Sequence, residues 1–369
     1  MKILMLNYEY PPLGGGAAPV TKSLSEELVR QGHEVDVVTM GYKELPKQEY
    51  LNGVQIYRVP SIRKKLEMCT FHEMLSYCIS AGRLLPKLLK ENNYDINHTH
   101  FIIPTGAVSS HYHKKIPYIV TTHGSDVPGH NPDRFQFQHV LFKPFSTIVL
   151  NRARYVTSPS NYLKGEIIRN YGERKIAVIP NGIFVDTYIP QRKERKILTV
   201  SRLFEMKGIQ FVIEAMKDIE GFEYVICGDG PYRPQLEDLV ERMHLEHKVK
   251  FRGHLKPEQL KQEYGSAAIF VLPSTSESFG LVLIEAMSAE CAVITSNKTG
   301  CAEVVDDAAL LVPPKDSEAI KNQLLTLIND PKRCRELGTQ GRRRVEQQFS
   351  WSSVTKKYSD LYENILSNE

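Results

Sequence analysis

Two carboxylates, Glu277 and Glu285, stand eight positions apart in the stretch Glu277-Ser278-Phe279-Gly280-Leu281-Val282-Leu283-Ile284-Glu285. The first falls in a loop after an apolar run at 269–272, and the second falls inside the helix that the following residues predict. Between them, Ser278, Phe279 and Gly280 present backbone N–H groups at a helix start, where unpaired donors and the helix dipole favour an anion. Glu285 lies among apolar neighbours, and a carboxylate there needs a partner. A ribose diol, donating from both hydroxyls, is one candidate. An ordinary helical salt bridge is the other.

Four further stretches carry residues of the right chemistry. In Ser201-Arg202-Leu203-Phe204-Glu205-Met206-Lys207-Gly208, two cations bracket a short loop after a predicted strand. Arg202 offers a forked contact and Lys207 a point charge, a pair suited to a diphosphate and to its departure as a leaving group, though two surface cations would look the same. Pro11-Pro12-Leu13-Gly14-Gly15-Gly16 joins the first strand to the first helix, where glycines let the backbone approach a phosphate or simply make a flexible turn. Cys227-Gly228-Asp229-Gly230-Pro231 resembles half of a dinucleotide fingerprint, but the third glycine is missing, which disfavours NAD. Thr121-Thr122-His123-Gly124-Ser125-Asp126 places a histidine at a strand end, able to bond a sugar hydroxyl or a reacting oxygen, or to serve the structure. Asn97-His98-Thr99-His100 and His111-Tyr112-His113 each set two histidines on one strand face. No cysteine or carboxylate completes four ligands at zinc spacing, so no metal site is expected.

These loops need strands to hold them. Predicted strands at 3–6, 35–39, 95–100, 118–122, 154–158 and 176–179 alternate with helical stretches such as 74–92. The polar run Lys193-Glu194-Arg195-Lys196 reads as a hinge. The alternation then restarts, with strands at 197–200, 224–227, 249–251, 269–272 and 292–295 and helices from about 209 and 234, then at 257–266 and 281–289. Strands alternating with helices imply βαβ units and parallel sheets, whose ligands bind beyond the carboxyl ends of the strands. The tail from Trp351 to Leu366 has Val354, Tyr358, Leu361, Tyr362 and Ile365 at helical spacing.

A chain of 369 residues suits two domains, each large enough for its own core. Residues 1–180 hold 22 Lys+Arg and 15 Asp+Glu, a surplus of +7, while the remainder holds 25 and 28, giving −3. The basic half suggests an anionic partner, a membrane surface or phosphorylated acceptor, or merely a solvated surface. Six cysteines without a CxxC pair read as small buried hydrophobes of a reducing compartment. The first apolar run is too short for a signal peptide, and Ala267–Leu272 is far below the roughly 20 residues of a membrane span. The expected location is the cytoplasm, including the inner face of the membrane. Ile62-Arg63-Lys64-Lys65-Leu66 and Lys114-Lys115 are candidate surface anchors, with plain exposed lysines as the alternative.

Taken in order, the Pro-Pro-Leu-Gly-Gly-Gly loop, Gly32-His33-Glu34-Val35, Thr122-His123-Gly124, Pro180-Asn181-Gly182, Ser201-Arg202 with Lys207-Gly208, Cys227-Gly228-Asp229-Gly230-Pro231 and the Glu277/Glu285 pair resemble the retaining glycosyltransferases of family 4 (group 1). The resemblance covers nearly the whole chain. It implies the α/β GT-B fold: two Rossmann-like, doubly wound domains facing each other across a cleft, with a last helix crossing back to the first domain. The expected division is 1–185 for the acceptor side, joined by 350–369, and 186–349 for the donor side.

By the same resemblance, the donor is a nucleotide diphosphate sugar. Arg202 and Lys207 would hold its diphosphate, Glu285 its ribose and Glu277 the transferred sugar. Gly228, Phe279, Gly280 and Leu281 would support the donor, Gly15 and Gly16 would close over the phosphate, and His123 would touch the sugar near the reacting centre. Anomeric configuration would be retained by front-face departure, with the leaving phosphate taking the acceptor proton. Asp126 is the nearest alternative carboxylate for a covalent step. No DxD sequence occurs, so neither a metal nor any other cofactor is expected. The acceptor stays open, with lipid-linked and phosphorylated compounds among the options, and nucleic acid is not an expected partner. An epimerase of nucleotide sugars on the same fold, revealed by its product, is the alternative enzyme. A non-catalytic nucleotide-sugar-binding protein is disfavoured because the cations and both glutamates are present.

Overall fold

The computed structural model describes residues 1–66, 68–129 and 136–368, with backbone only for 136–138. The chain divides into two compact units, 1–182 with 351–369, and 183–350. The split falls just ahead of residue 185 because Ile183 donates its N–H to Phe349 O at 2.8 Å and bridges to Ser350, which ties it to the second unit.

The first unit runs β1 (Lys2–Leu6), α1 (Ala17–Arg30), β2 (Glu34–Met40), β3 (Gln48–Leu51), β4 (Val54–Val59), α2 (Phe71–Glu91) and β5 (Ile96–His100). It continues through α3 (Thr105–His111), β6 (Tyr118–Thr121), α4 (Gln136–Arg152), β7 (Tyr155–Ser158), α5 (Asn161–Tyr171) and β8 (Ile176–Val178). The eight strands order as β3-β4-β2-β1-β5-β6-β7-β8, parallel except for β3 against β4. Ile3, Leu4, Met5 and Leu6 are all fully buried, as expected of a central parallel strand covered by helices on both faces. His111 ends a helix rather than lying in a strand, so His111 and His113 do not share a strand face.

Strand β5 is central yet polar, and its side chains pair accordingly. His98 Nδ1 lies 2.6 Å from Tyr362 Oη, and its Nε2 lies 2.6 Å from Thr121 Oγ1. Asn97 Nδ2 donates to Ser109 Oγ at 2.9 Å. His98 and His100 do share a face, with ring centroids 4.5 Å apart. Tyr362 and Tyr358 belong to the last helix of the chain, α13 (Trp351–Ser367), which returns the tail to the first unit. Its first residue fills the space beside Gly182, where a Cβ would come within 2.5 Å of the Trp351 ring. Ser359 meets His33 Nε2 at 3.2 Å.

The second unit runs β9 (Glu194–Val200), α6 (Ile209–Ala215), β10 (Glu223–Cys227), α7 (Arg233–Arg242), β11 (Val249–Gly253) and α8 (Pro257–Ser266). Then come β12 (Ala267–Leu272), α9 (Leu281–Ser288), β13 (Ala292–Ser296), α10 (Gly300–Val305), β14 (Ala309–Val312), α11 (Ser317–Asn329) and α12 (Pro331–Gln348). The all-parallel sheet orders as β11-β10-β9-β12-β13-β14. Alternation along the strands builds two cores. Leu198, Val225 and Phe270 join Ile284 and Met287 on one face, while Ile197, Ile226 and Ile269 join Ile213 and Leu324 on the other. The polar run at 193–196 is not a hinge: Glu194 to Lys196 begin β9, and the Lys196 ammonium donates to Glu263 Oε2 at 3.0 Å and to Ser266 Oγ at 2.8 Å.

Burial pushes His98 down to about 3 and His100 well below the usual histidine range. An unfolded histidine takes a proton near pH ~6.5, which the folded ones refuse. The unfolded chain therefore binds more protons as pH falls through that value, and stability is lost below it. We expect stability to be greatest above about pH 6.5 and to fall with a slope approaching about 1.4 kcal/mol per pH unit for each of the two histidines. Denaturant melts of the wild type and of His98→Gln across that range check this. The variant should show a shallower slope, and an unchanged slope would remove His98 from the account.

Candidate active site

In the second unit the strand order reverses between β9 and β12, since β9 leads to β10 on one side while β12 leads to β13 on the other. This is the switch point at which open α/β sheets bind ligands. The loop after β9 makes one 3-10 turn, Glu205–Lys207, closed by Gly208 at φ +74°. A Cβ on Gly208 would stand 2.5 Å from Pro273 O, so only glycine lets this loop reach the one after β12. Thr275 fastens the two loops, donating from its N–H at 2.8 Å and its hydroxyl at 3.2 Å to Met206 O. Lys207 Nζ then meets Glu277 Oε2 at 2.6 Å, with the two side chains only 18% and 16% exposed.

The backbone of Glu277 is braced in turn, its carbonyl accepting from Gly300 N at 2.9 Å. A Cβ at Gly300 would fall 2.1 Å from Ser278 O, so this glycine is required by close approach. The Phe279 ring is buried against Phe349, 5.7 Å away and edge-on, leaving only backbone at that position to face a ligand. Gly280 caps α9 at φ +84°, and Leu281 is its half-buried first residue. Further along α9, Glu285 is not in a helical salt bridge. Its Oε2 accepts from Tyr264 Oη at 2.7 Å, and the Tyr188 hydroxyl bonds it as well. Burial raises this carboxyl above its usual range, and the two hydroxyls oppose that rise.

Arg202 is exposed, with its guanidinium 5.0 Å from the Phe204 ring, and it enters no ion pair among the described residues. Lys207 is thus neutralised by Glu277 while Arg202 keeps its charge. Gly228 is fixed by close packing. Its N–H donates to Gly253 O at 2.7 Å, and a Cβ there would fall 1.9 Å from Ser201 O. Gly230 is similarly pressed against Leu203 O, 2.4 Å from a Cβ.

In the first unit, the loop before α1 is shaped by a residue the sequence reading passed over. Glu9 is buried, and Gly15 donates its N–H to Glu9 Oε2 at 3.2 Å. That amide therefore holds a carboxylate in this structure, where a phosphate was expected. Its proximity to a glycine-rich loop was the signal available for Glu9. A Cβ on Gly15 or Gly16 would meet nothing within 4 Å, so both face open space.

His123 follows β6. Asp126 braces it, one carboxylate oxygen accepting from His123 N at 2.9 Å and the other from Ile102 N at 3.0 Å. Burial raises the Asp126 carboxyl, and these amides oppose the rise. Asp126 thus clamps the loop that carries His123. His123 Nε2 lies 3.0 Å from His100 Nδ1, so one of the two rings carries the shared proton. Burial lowers His123 to about 3, which makes it a neutral hydrogen-bonding group near pH 7. Of the suggested surface anchor at 62–66, Arg63 is buried, its guanidinium donating to Lys65 O at 2.9 Å and Leu66 O at 2.7 Å. Among the described residues no helix is long and apolar enough to cross a membrane.

Residues 187–344 match the family of glycosyl transferases group 1, and residues 14–187 match glycosyltransferase family 4. An uncharacterised glycosyltransferase of Methanocaldococcus jannaschii is 32% identical over 98% of both chains. Sucrose-phosphate synthase from Thermosynechococcus elongatus superposes with a TM-score of 0.86 at 24% identity, over 100% of each chain. HepE of Anabaena, solved with UDP and glucose, has a TM-score of 0.79 at 18% identity, covering 99% of this chain and 100% of its own. These two likenesses show a shared GT-B architecture of Rossmann-like domains. The matched residues take in both the His123 loop and the Lys207–Glu277 loops, and the chain belongs to the group 1, family 4 glycosyltransferases.

Proposed function

We propose that this glycosyltransferase takes its sugar from a nucleotide diphosphate donor and transfers it with retention of anomeric configuration. The observation that carries the reading is the 2.6 Å pair between Lys207 and Glu277, built at the switch point of the second unit's sheet. A diphosphate entering there finds the Lys207 ammonium, the uncompensated Arg202 fork and the amide end of α9 behind Gly280. HepE, which shares the fold, was solved with UDP and glucose, in keeping with such a donor.

In this reading Glu277 has two roles. It holds Lys207 in place before the donor arrives, and its carboxylate accepts from hydroxyls of the transferred sugar. Glu285, steadied by Tyr264 and Tyr188, accepts from the ribose. As the glycosidic bond lengthens, negative charge grows on the diphosphate, where the fixed cations and amides stabilise it. The reading assigns no step to a metal. With Asp126 holding two backbone amides, the reading gives it no covalent role. A phosphate oxygen of the leaving group takes the acceptor proton on the same face, and configuration is retained. His123, neutral, bonds a sugar hydroxyl.

A thermal-shift panel of UDP, GDP and ADP sugars identifies the base, because a ligand of the folded state raises its melting temperature. With the matching donor, Lys207→Met and Glu277→Gln should each lower kcat about 100-fold or more, the scale of losing one fixed electrostatic contact to a developing charge. Full activity in both variants sinks the assignment. NMR of the product should show the donor's anomeric configuration, whereas an epimerised nucleotide sugar without transfer would contradict the transferase reading.

A further inference from the structure

The first unit carries an apolar hollow that none of the donor groups uses. Tyr8, Phe71, Met74, Phe101, Ile102 and Phe142 line it, in an open space of about 560 Å³. The Phe71 and Phe142 rings stack at 5.3 Å and so join α2 to α4 as one wall. On its inner side the hollow reaches the His123 loop, since the Phe101 ring lies 4.7 Å from the His123 ring and Asp126 is part of the lining.

Outward from that wall the apolar surface continues into solvent. Leu75 and Ile79 of α2 are 50% and 49% exposed, and Val140, Leu141, Phe145 and Ile148 of α4 are 75%, 59%, 43% and 45% exposed. The loop before α2 adds Ile62, Leu66 and Met68. A single exposed leucine means little, but nine large apolar side chains on two joined helices and their leading loop form a patch.

The charges around the patch are mostly positive, the acidic exceptions being Glu67 in the sequence and the exposed Glu91, which ends α2 4.0 Å from Lys87. Lys64, Lys65, Arg83, Lys87 and Lys90 are exposed between residues 61 and 90. Among the described residues of that stretch the one carboxylate, Glu73, is buried and accepts from Lys64 N at 2.8 Å and Thr70 N at 2.6 Å. Helix α4 contains no Asp or Glu, and its Lys143 is exposed beside the apolar residues. Apolar side chains ringed by cations complement an interface with hydrocarbon below and negative headgroups above.

We propose that α2, α4 and residues 62–66 and 68 ahead of α2 seat this unit on an anionic lipid bilayer. The surface is on the unit that carries His123, and the proposal does not depend on the identity of the sugar donor. Lys114 and Lys115, also exposed, follow α3 and are not among the residues of the proposed seat.

Vesicle sedimentation of the full chain tests this, with phosphatidylcholine vesicles prepared with and without phosphatidylglycerol. The wild type should sediment with the anionic vesicles and much less with the neutral ones. Leu141→Asp/Phe145→Asp and, separately, Lys64→Glu/Lys65→Glu should each lower partitioning about tenfold or more. All four positions are exposed and none touches the donor groups, so an unchanged thermal response to a nucleoside diphosphate verifies the fold of each variant. A wild type that stays in the supernatant with both vesicles overturns the proposal, as does wild-type partitioning by both variants. Binding lost only in Lys114→Glu/Lys115→Glu also overturns it, because the lipid contact would then lie elsewhere. None of these results bears on donor binding, which the thermal response reads separately.

Discussion

The candidate site depends on one approach of backbone to backbone: the loop after β9 touching the loop after β12 through Gly208 and Pro273. Without a Cβ at Gly208 the two loops close, Thr275 bonds Met206 O twice, and Lys207 reaches Glu277. The ion pair is therefore a consequence of the fold, set before any ligand arrives. Its partners are less than a fifth exposed, so it is partly shielded from water, where a charge-assisted bond counts for more than at a surface. Gly300 supports the same geometry from the far side by fixing the Glu277 carbonyl.

The two units use opposite electrostatic devices. The second keeps charge at its switch point, with Lys207 balanced by Glu277 and Arg202 left uncompensated. The first removes charge from strand β5 and the loop after β6, where burial holds His98, His100 and His123 neutral and hydrogen bonds to Tyr362 and Thr121 consume the ring nitrogens of His98. A neutral imidazole can bond a hydroxyl, and a fixed cation can hold a phosphate, which is the division of labour the proposed function uses. The tail helix contributes to the first device alone, since Tyr358 and Tyr362 pack on His98.

Much of the architecture was legible because parallel strands buried on both faces read as short apolar runs, as at Ile3–Leu6 and Ile269–Leu272. The hairpin of β3 and β4 escaped because β3 is a mostly exposed edge strand, although Asn52-Gly53, both at positive φ, is a turn signal between them. Charge at 193–196 concealed the start of β9, whose polar end is satisfied by Glu263 and Ser266, partners 67 and 70 residues away. Separation in sequence also hid the partners of Glu285, of which Tyr264 is 21 residues away and Tyr188 farther still. Nothing local to Tyr188 or Tyr264 marks them as the hydroxyls that hold it. Gly228 shows the converse ambiguity, because a glycine required by Ser201 O looks in sequence like one required by a phosphate.

Isothermal titration of a nucleoside diphosphate and its monophosphate into the wild type and Lys207→Met addresses the central claim most directly. If the Lys207 ammonium grips the second phosphate, the wild type prefers the diphosphate by about tenfold to a hundredfold, the scale of one hydrogen bond to a charged group. Lys207→Met should then lose about that factor of the preference, keeping only what Arg202 and the α9 amides supply. An undiminished preference for the diphosphate in Lys207→Met would contradict the account.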